Sequence, residues 1–305
     1  MSTPDSKRGL ARRFLLIGAW LAILLTWEGA YRLIGWKRWV FPAPTHVVDA
    51  ATHLLNRPTY FGEAVSPGWP WSNPEAPGVA TTPPPLREPI LSSPLLKGLV
   101  TSGVRLAAGF SAAMLIGTAM GIALWRWAFL DELMGPLFLG LQTLPSVCWV
   151  PLAILVFGIN ESGLLFVMIM GSAFAIAIGM RDGLRSLPPV YRAAGRMLGA
   201  RGFRLYSSVL IPASLPTLAG TLRQGFSFSW RSLLGAELIL LAQRRGLGFL
   251  LSMGRDFSDV AQVVAMMAVM VLVGMAVDRW AFAVIERRIR LRFGLVPEPS
   301  DRRSR

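Results

Sequence analysis

The sequence has few of the residues that build catalytic and metal sites. Its 305 residues include one cysteine, two histidines and three lysines, and only 16% are charged, against roughly 25% in an average soluble domain. One cysteine cannot form an intramolecular disulfide, and two histidines are too few for a His/Cys metal site. No lysine lies in a Gly-Lys-Ser/Thr sequence, so we expect no P-loop for ATP. Without a Ser/His/Asp or paired-carboxylate pattern, we expect neither an enzyme nor a cofactor site.

Apolar residues and arginine dominate instead. Hydrophobic residues make up 53% of the chain, and arginine supplies 28 of the 31 basic residues behind a net charge of +14. In a soluble protein this charge would suggest nucleic-acid binding. In a membrane protein, positive charge collects in cytoplasmic loops and sets the orientation. The combination therefore favours a helical membrane protein without a nucleic-acid partner.

Six stretches are long and apolar enough to cross a bilayer, which takes about 20 residues. They cover residues 14–36, 99–124, 136–157, 163–180, 215–242 and 260–282. The first follows four basic residues, so a cleaved signal peptide and a twin-arginine signal are alternatives. Its apolar run is long and no small-x-small cleavage site follows, so we favour an uncleaved span. The sequence predicts an all-α integral membrane protein with about six transmembrane helices.

The basic segments predict the orientation. Arginine-rich stretches at both ends and between spans four and five fall on one side of a six-span protein, and such stretches are typically cytoplasmic. We expect both termini in the cytoplasm and the chain in a bacterial-type inner membrane. The predicted division is a cytoplasmic basic tail (1–13), the first transmembrane helix (14–36), an external loop (37–98), a five-helix core (99–286) and a second basic tail (287–305).

The external loop has two parts. After the sequence Phe41-Pro-Ala-Pro, Thr45 is expected to cap a short helix that ends near Leu55. Residues 58–94 hold ten of the 22 prolines, which favours extended or irregular structure. This Pro-rich insertion is either a tolerated loop or a docking surface for an external partner.

Polar residues interrupt span five. Five of them fall within roughly 140° of one helical face at about 100° per residue: Arg223, Gln224, Ser227, Arg231 and Glu237. An arginine at a helix centre costs about 2.5–3.5 kcal/mol on insertion scales, so such residues usually face a bundle interior or a wet cavity. Two interpretations stay open: a translocation path in which an arginine meets an anionic substrate, or an ion pair of an arginine with Glu237.

Two other spans carry features of the same kind. In span three, Gln142 and Ser146 flank a proline, which kinks a span and frees carbonyl groups. This segment is a second candidate for the path, with ordinary bundle packing as the alternative. In span two, Arg105 is expected to snorkel toward the external side, and the Gly117-x-x-x-Gly121 pattern permits close helix approach.

The most informative stretch is the arginine-rich segment 186–216. Ser186, followed by two prolines, predicts the start of a helix. Gly199 predicts its end in a left-handed turn. A second short helix is expected over 202–210, with Pro212 stopping it. The result is a compact basic elbow between spans four and five, with apolar residues available to bury against a partner.

The elbow resembles the cytoplasmic coupling motif of ABC importer permeases. The family pattern is Glu-Ala-Ala, three residues, Gly, nine residues, Ile-x-Leu-Pro. Here Ala193-Ala194-Gly195 stands at Glu-Ala-Ala, Gly199 follows after three residues, and Val209-Leu-Ile-Pro212 follows after nine more. The chain departs from the pattern at Ala193, where the acidic residue is absent, and at Gly195. The resemblance implies an ATPase-coupling role for eight elbow residues: Tyr191, Ala193, Ala194, Gly195, Leu198, Gly199, Phe203 and Pro212.

Other segments resemble the nitrate/sulfonate/taurine branch of that family. They are Phe41-Pro-Ala-Pro, Leu144-Pro-Ser, Pro151-Leu-Ala, Phe157-Gly-Ile-Asn, Gly246-Leu-Gly-Phe-Leu and Glu286-Arg-Arg. With the elbow, the resemblance covers most of the chain beyond Trp39 and implies the fold of a type I importer permease.

The resemblance implies a function as well. The chain would be the transmembrane permease subunit of an ATP-driven ABC importer, with ATP and Mg²⁺ bound by partner ATPase subunits. An external substrate-binding protein and a second permease copy would complete it. Small anions lead as substrates, and nitrate, taurine, alkanesulfonates, bicarbonate and a thiamine-precursor pyrimidine stay open. The alternative is an ion-coupled secondary transporter acting without an ATPase, for which Glu237 is the best candidate titratable group.

Overall fold

The computed structural model describes residues 4–36, 40–56, 93–240 and 246–292, and all regular structure in these ranges is helical. The helices are α1 (Pro4–Ile34), α2 (Pro44–Asn56), α3 (Pro94–Arg126), α4 (Ala128–Thr143), α5 (Val150–Phe157), α6 (Glu161–Arg185), α7 (Pro189–Met197), α8 (Gly202–Leu205), α9 (Ile211–Leu240), α10 (Leu247–Asp256), α11 (Val260–Val277) and α12 (Ala283–Arg292). Nearly all of the Pro-rich insertion and most of the second basic tail lie outside the described residues.

Each predicted span falls on a helix or a helix pair. Helices α3, α6 and α11, the last with its extension to Trp280, are long and apolar enough to cross a membrane, and α4 with residues 146–157 makes a fourth if a bent pair counts as one span. The other two predicted spans lie on α1 and α9, of 31 and 30 residues. At 1.5 Å per residue each is about 45 Å long, enough for a bilayer core of about 30 Å.

The third predicted span differs from its prediction. Its helix begins at Ala128, so Trp127 alone separates α3 from α4, where the sequence suggested a loop before Pro136. The span then bends by 104° between α4 and the 146–157 segment. Leu144 is extended (ψ 124°) because it precedes Pro145, whose ring disfavours helical geometry in the residue before it. The predicted kink is therefore a sharp break.

The described residues within 99–249 and 270–305 form one compact unit, in which α6 packs closely against α3. Both glycines of the Gly117-x-x-x-Gly121 pattern face the α6 backbone. A Cβ atom at Gly117 would lie 2.6 Å from the carbonyl oxygen of Ala173, and one at Gly121 would lie 2.5 Å from that of Ala177. In lipid, where hydrophobic association is weak, small residues let helix backbones approach in this way. The close approach expected of this pattern is confirmed.

The same helix α6 packs along α9 on another side. Ser229 of α9 donates a 2.8 Å hydrogen bond to the hydroxyl of Ser172, and both are fully buried. A Cβ at Gly225 would meet the Ile176 side chain at 2.4 Å. Apolar residues of all three helices close this core: Ala113, Ala173, Ile176, Met180 and Leu218. Helices α3, α6 and α9 therefore form one closely packed body.

The described residues within 1–98 and 250–269 form the second compact unit. Within it, Ala50 of α2 packs on Ala261 and Ala265 of α11. The short helix predicted after Phe41-Pro-Ala-Pro is present, but Thr45 lies inside it and does not cap it. The ring nitrogen Nδ1 of His46 accepts the backbone N–H of Ala43 instead, at 3.3 Å.

We expect Gly121→Ala to lower the free energy of unfolding by about 1–3 kcal/mol, because the new methyl group would overlap the α6 backbone. The measurement is the thermal unfolding midpoint of the purified protein in detergent. Gly103→Ala is the matched control on the same helix, since nothing lies within 4 Å of its Cβ position. Equal midpoints for the two variants would contradict the close approach of α3 and α6.

Candidate functional site

The elbow begins at a pair of prolines. Pro188 precedes the first turn of α7 in an extended conformation (φ −55°, ψ 137°), and Pro189 occupies that turn, where a missing N–H costs nothing. Ser186 is not the cap that the sequence suggested. Its N–H donates to the carbonyl of Asp182 and its hydroxyl to that of Gly183, both at 2.9 Å, so it ends α6.

Gly199 ends α7 as predicted. Its φ is +81°, a left-handed conformation that favours glycine. The N–H of Gly199 donates to Arg196 at 3.0 Å, and that of Ala200 donates to Gly195 at 2.9 Å. This pair of hydrogen bonds is the Schellman motif, which satisfies the last carbonyl groups of the helix. The direction of the chain after α7 is therefore fixed by backbone geometry.

The second half of the elbow differs from its prediction. Helix α8 ends at Leu205, and a π-helical turn over 206–210 runs straight into α9. Pro212 does not stop a helix; it lies in the first turn of α9. The wider π-helical turn comes just before it, where an α-helical turn would press the proline ring against a carbonyl four residues earlier. The elbow is therefore continuous with α9.

The elbow buries one face and exposes the other. Gly195 is buried, and a Cβ there would lie 2.5 Å from Cδ1 of Leu205, which explains glycine at the second alanine of the motif. Ala193 and Ala194 are exposed. Large apolar residues are exposed beside them: Val190 at 64%, Tyr191 at 44%, Met197 at 88% and Leu198 at 86%. The side chain of Phe203 falls outside the described residues. The elbow thus presents an uncovered apolar surface among arginines.

The polar residues of α9 do not act as one group. Arg223 pairs with Asp278 of the turn after α11, with Nε and Nη2 each 2.5 Å from a carboxylate oxygen. Ser227 donates to the carbonyl of Arg223 at 3.2 Å. Neither arginine that the sequence offered as a partner of Glu237 pairs with it.

Arg231 has a different environment. Its Nε donates to the carbonyl of Ser227 at 3.1 Å, and its guanidinium lies 4.8 Å from the ring centre of Phe228. The residue is exposed on an open groove of about 380 Å³ between α9 and the second half of α11. The lining is Phe226, Ser227, Trp230, Arg231, Leu234, Met270, Val271, Gly274, Met275 and Asp278. The groove presents one cation on a mostly apolar wall.

The path residues predicted in span three lie elsewhere. Gln142 is half-buried near the end of α4, and Ser146 begins the short turn after the break. A Cβ at Gly171 would lie 2.8 Å from Cβ of Ser146 and 2.2 Å from Oγ of Ser232. Ser146 therefore packs against α6, and among the described residues the groove is lined from α9, α11 and the turn after α11.

The carboxylate of Glu237 accepts the hydrogen bonds of a buried charge network. It is 2% exposed, and one carboxylate oxygen lies 2.8 Å from Nη1 of Arg105. The hydroxyl of Ser102 lies 2.8 Å from both carboxylate oxygens and accepts the N–H of Leu247 at 2.9 Å. The N–H of Gly248 donates to Glu237 at 3.0 Å. The carboxylate thus compensates both a buried guanidinium and the positive end of α10.

Arg105 carries the network to α6. Its Nε donates to Oε2 of Glu161 at 2.7 Å, and its Nη2 contacts the other oxygen of the same carboxylate. Arg105 is 5% exposed, so the expectation that it snorkels to an interface is wrong. A buried guanidinium must be paired, and two carboxylates surround it. Asp131, which bridges Arg181 and Arg185 of α6, is a second cluster of this kind.

Sequence analysis missed Ser102 and Glu161. The available signal was a charge inside an apolar span, because Arg105 requires an acid at the same depth. A second signal was the Gly246-Leu-Gly248 sequence. A Cβ at Gly246 would lie 2.1 Å from a carboxylate oxygen of Glu237, and one at Gly248 would lie 2.5 Å from its Cβ. Both glycines are needed for the close approach of α10.

Comparison with known proteins identifies the family. Residues 95–291, well over half of the chain, match the model of the family described as binding-protein-dependent transport system inner membrane component. The chain belongs to this family. It is a permease component of an ABC transport system, a multi-pass inner-membrane protein and a non-catalytic subunit that works with ATPase subunits. The alternative of a secondary transporter that acts without an ATPase is therefore wrong.

The relatives are permeases of the same kind. A putative ABC transporter permease of Methanocaldococcus jannaschii is 30% identical over 61% of this chain and 69% of its own length. The nitrate import permease NrtB of Synechocystis sp. is 28% identical over 60% of this chain and 66% of its own length. The bicarbonate transport system permease CmpB of Synechococcus elongatus is 28% identical over 59% and 65%. The chain thus spans about two thirds of each relative.

A solved structure shows the same fold. The MetNI methionine ABC transporter in an inward-facing conformation superposes with a TM-score of 0.56 at 18% identity, covering 64% of this chain and 95% of that chain. The type I importer permease fold expected from the elbow motif is confirmed.

We expect Glu237→Ala to reduce the yield of folded protein sharply, because the buried Arg105 would lose a partner, a change that typically costs about 3–5 kcal/mol. The measurement is the fraction that elutes as a single species in detergent size-exclusion chromatography. Glu132→Ala is the control, since Glu132 is exposed on α4. A normal yield of Glu237→Ala would show that the network does not stabilise the fold.

Proposed function

We propose that this permease subunit carries a small anion along a path lined by α9, and that ATPase subunits drive it through the elbow. The exposed apolar surface of α7, held in place by the Schellman turn at Gly199, is the observation that supports this proposal most directly. Three large apolar side chains on a helix of nine residues and a fourth at its C-cap are left uncovered in this chain. They indicate a surface that a partner buries.

The elbow is joined closely enough to α6 and α9 to transmit a displacement to both helices. Its first helix follows α6 after three residues, and its second runs into α9 without a break. Gly195 brings α7 against Leu205, so the two halves of the elbow support each other. An ATPase subunit that closes on ATP and Mg²⁺ would therefore displace α6 and α9 together. The gate of the importer would be a two-state element biased by nucleotide bound in the partner.

The proposal that the substrate is an anion rests on Arg231. Counting from Ile211, this residue lies roughly 30 Å along α9, and Leu240 is roughly 14 Å beyond it. It therefore lies far from both ends of the predicted span. In this central part an uncompensated arginine is costly. Its Nε donates to a backbone carbonyl, and the residue lines the groove. Relatives named for nitrate and bicarbonate transport are consistent with an anionic substrate.

The remaining parts of the assembly belong to the same proposal. A second copy of this chain would complete the path, and an external binding protein would deliver the anion. The termini and the elbow would face the cytoplasm. Gln142, Ser146, Arg223 and Ser227 stay candidate path residues at the break of span three and beside the groove.

We expect Leu198→Asp to abolish co-purification of the ATPase subunit encoded with this chain, because a carboxylate would be buried in the contact. The measurement is affinity purification of the tagged permease from detergent extracts, with the ATPase quantified by immunoblot. Leu291→Asp is the matched control, since Leu291 is also exposed but lies on α12. Undiminished ATPase recovery with Leu198→Asp would rule out the elbow as the docking surface.

We expect Arg231→Ala to lower uptake of the transported anion by about tenfold or more, a loss of at least 1.4 kcal/mol of stabilisation along the path. Arg231→Lys keeps the charge and should keep part of the uptake. The measurement is substrate uptake into proteoliposomes that contain the assembled importer. If Arg231→Ala assembles and transports like the wild type, Arg231 does not line the path.

A further inference from the structure

Among the described residues, Arg105 pairs with two carboxylates of unequal burial. The side chains of Arg105 and Glu237 are 6% and 1% exposed, whereas that of Glu161 is 39% exposed. The buried pair joins α3 to α9. The half-exposed pair joins α3 to the first residue of α6. One guanidinium of α3 therefore connects the start of α6 with the last turn of α9.

The first turn of α10 is seated on this network. Its N–H groups at Leu247 and Gly248 donate to Ser102 and Glu237. Gly246 and Gly248 leave no room for a Cβ atom against Glu237. The turn is thus fixed by hydrogen bonds and by close contact, and it follows any movement of the end of α9.

Close contacts hold together the three helices under this turn. Gly117 and Gly121 of α3 lie against the α6 backbone, and Ser172 of α6 hydrogen-bonds Ser229 of α9. Packed interiors of this density transmit displacement with little compression. The elbow joins the other ends of α6 and α9, so the network and the elbow lie at opposite ends of one body.

We propose that Arg105 is a positioning residue of the transport cycle. With Glu237 and Ser102 it holds the first turn of α10 on the α3–α6–α9 body, so that a displacement of the elbow reaches this turn on the external side. There it couples the state of the ATPase to the external binding protein. The inference rests on the proposed function, because it requires the ATPase at the elbow and the binding protein outside.

The chemistry favours positioning over simple stability. Replacing a buried ion pair by well-packed apolar residues is often neutral or stabilising. An apolar contact between α3 and α9 would therefore hold the fold as well. What the carboxylate adds is an acceptor for the N–H of Gly248 and for the hydroxyl of Ser102, which in turn accepts the N–H of Leu247. An apolar side chain cannot supply this acceptor.

The test uses the full importer, with permease, ATPase and binding protein, reconstituted in lipid nanodiscs. Gly248→Ala displaces the turn of α10 without removing any charge, and Glu161→Gln weakens the half-exposed pair. Their matched controls are Gly103→Ala, with open space at its Cβ position, and Glu132→Gln on the exposed side of α4. Three quantities are measured for each variant: the amount of ATPase bound, the basal ATPase rate, and the rate with saturating binding protein and its substrate.

We expect Gly248→Ala and Glu161→Gln to bind ATPase and hydrolyse ATP at the basal rate of the wild type. Their stimulation by the binding protein should fall by about fivefold or more, a loss of coupling of at least about 1 kcal/mol. The two controls should keep full stimulation.

Full stimulation of the ATPase rate in Gly248→Ala would overturn the inference. The contact of the first turn of α10 with Glu237 would then play no part in coupling. Loss of assembly in both test variants would also overturn it, since the network would then serve folding alone. Failure of the wild-type chain to bind any ATPase is a separate outcome that contradicts the proposed function before any variant is compared.

Discussion

The structure depends on the close approach of α6 to α3 and α9. Helices in lipid gain little from hydrophobic association, so contact comes from small residues that let helices approach closely. Gly117 and Gly121 of α3 lie against the α6 backbone, and Gly225 of α9 makes room for the Ile176 side chain of α6. With the helices this near, the hydroxyl groups of Ser172 and Ser229 reach each other inside the core. The polar groups of the three helices can then be satisfied within the body.

This packing determines which charged side chains of the spans become neighbours. Arg105, about a third of the way along α3, meets Glu161 and Glu237 because the first turn of α6 and the last turn of α9 lie beside it. Asp131 of α4 meets Arg181 and Arg185 in the same way, at the other end of α6. These acids and bases hold helices, and they are therefore poor candidates for contact with a substrate. Arg231 differs, because its contacts are a backbone carbonyl and an aromatic ring, and the residue lines a groove.

Local chemistry was predictable from the sequence where a single residue decides it. Gly199 is left-handed because a Schellman turn requires it, and the chain breaks at Pro145 because proline acts on the residue before it. The same rules failed where two elements compete. Ser186 ends α6 and caps nothing in α7, and Pro212 lies in a first helical turn, where it is tolerated.

The pairing of charges was beyond the reach of sequence patterns. Helical periodicity placed Arg223, Arg231 and Glu237 on one face of α9, but it carries no information on which helices pack against that face. Arg105 lies 132 residues from Glu237 along the chain. Only the three-dimensional packing of α3 on α6 and α9 makes Arg105 and Glu237 neighbours. Helical periodicity could not identify this partner of Glu237.

The continuity of the elbow with α9 has a mechanical consequence. If Pro212 had ended a helix, as its residue type suggested, a loop would separate the docking surface from the span, and a loop absorbs displacement. The structure instead has a π-helical turn that leads directly into a helix of 30 residues. A helix is stiff along its axis because each turn is hydrogen-bonded to the next. A displacement of α8 would therefore reach Arg231, roughly 30 Å along α9, without a non-helical segment on the way.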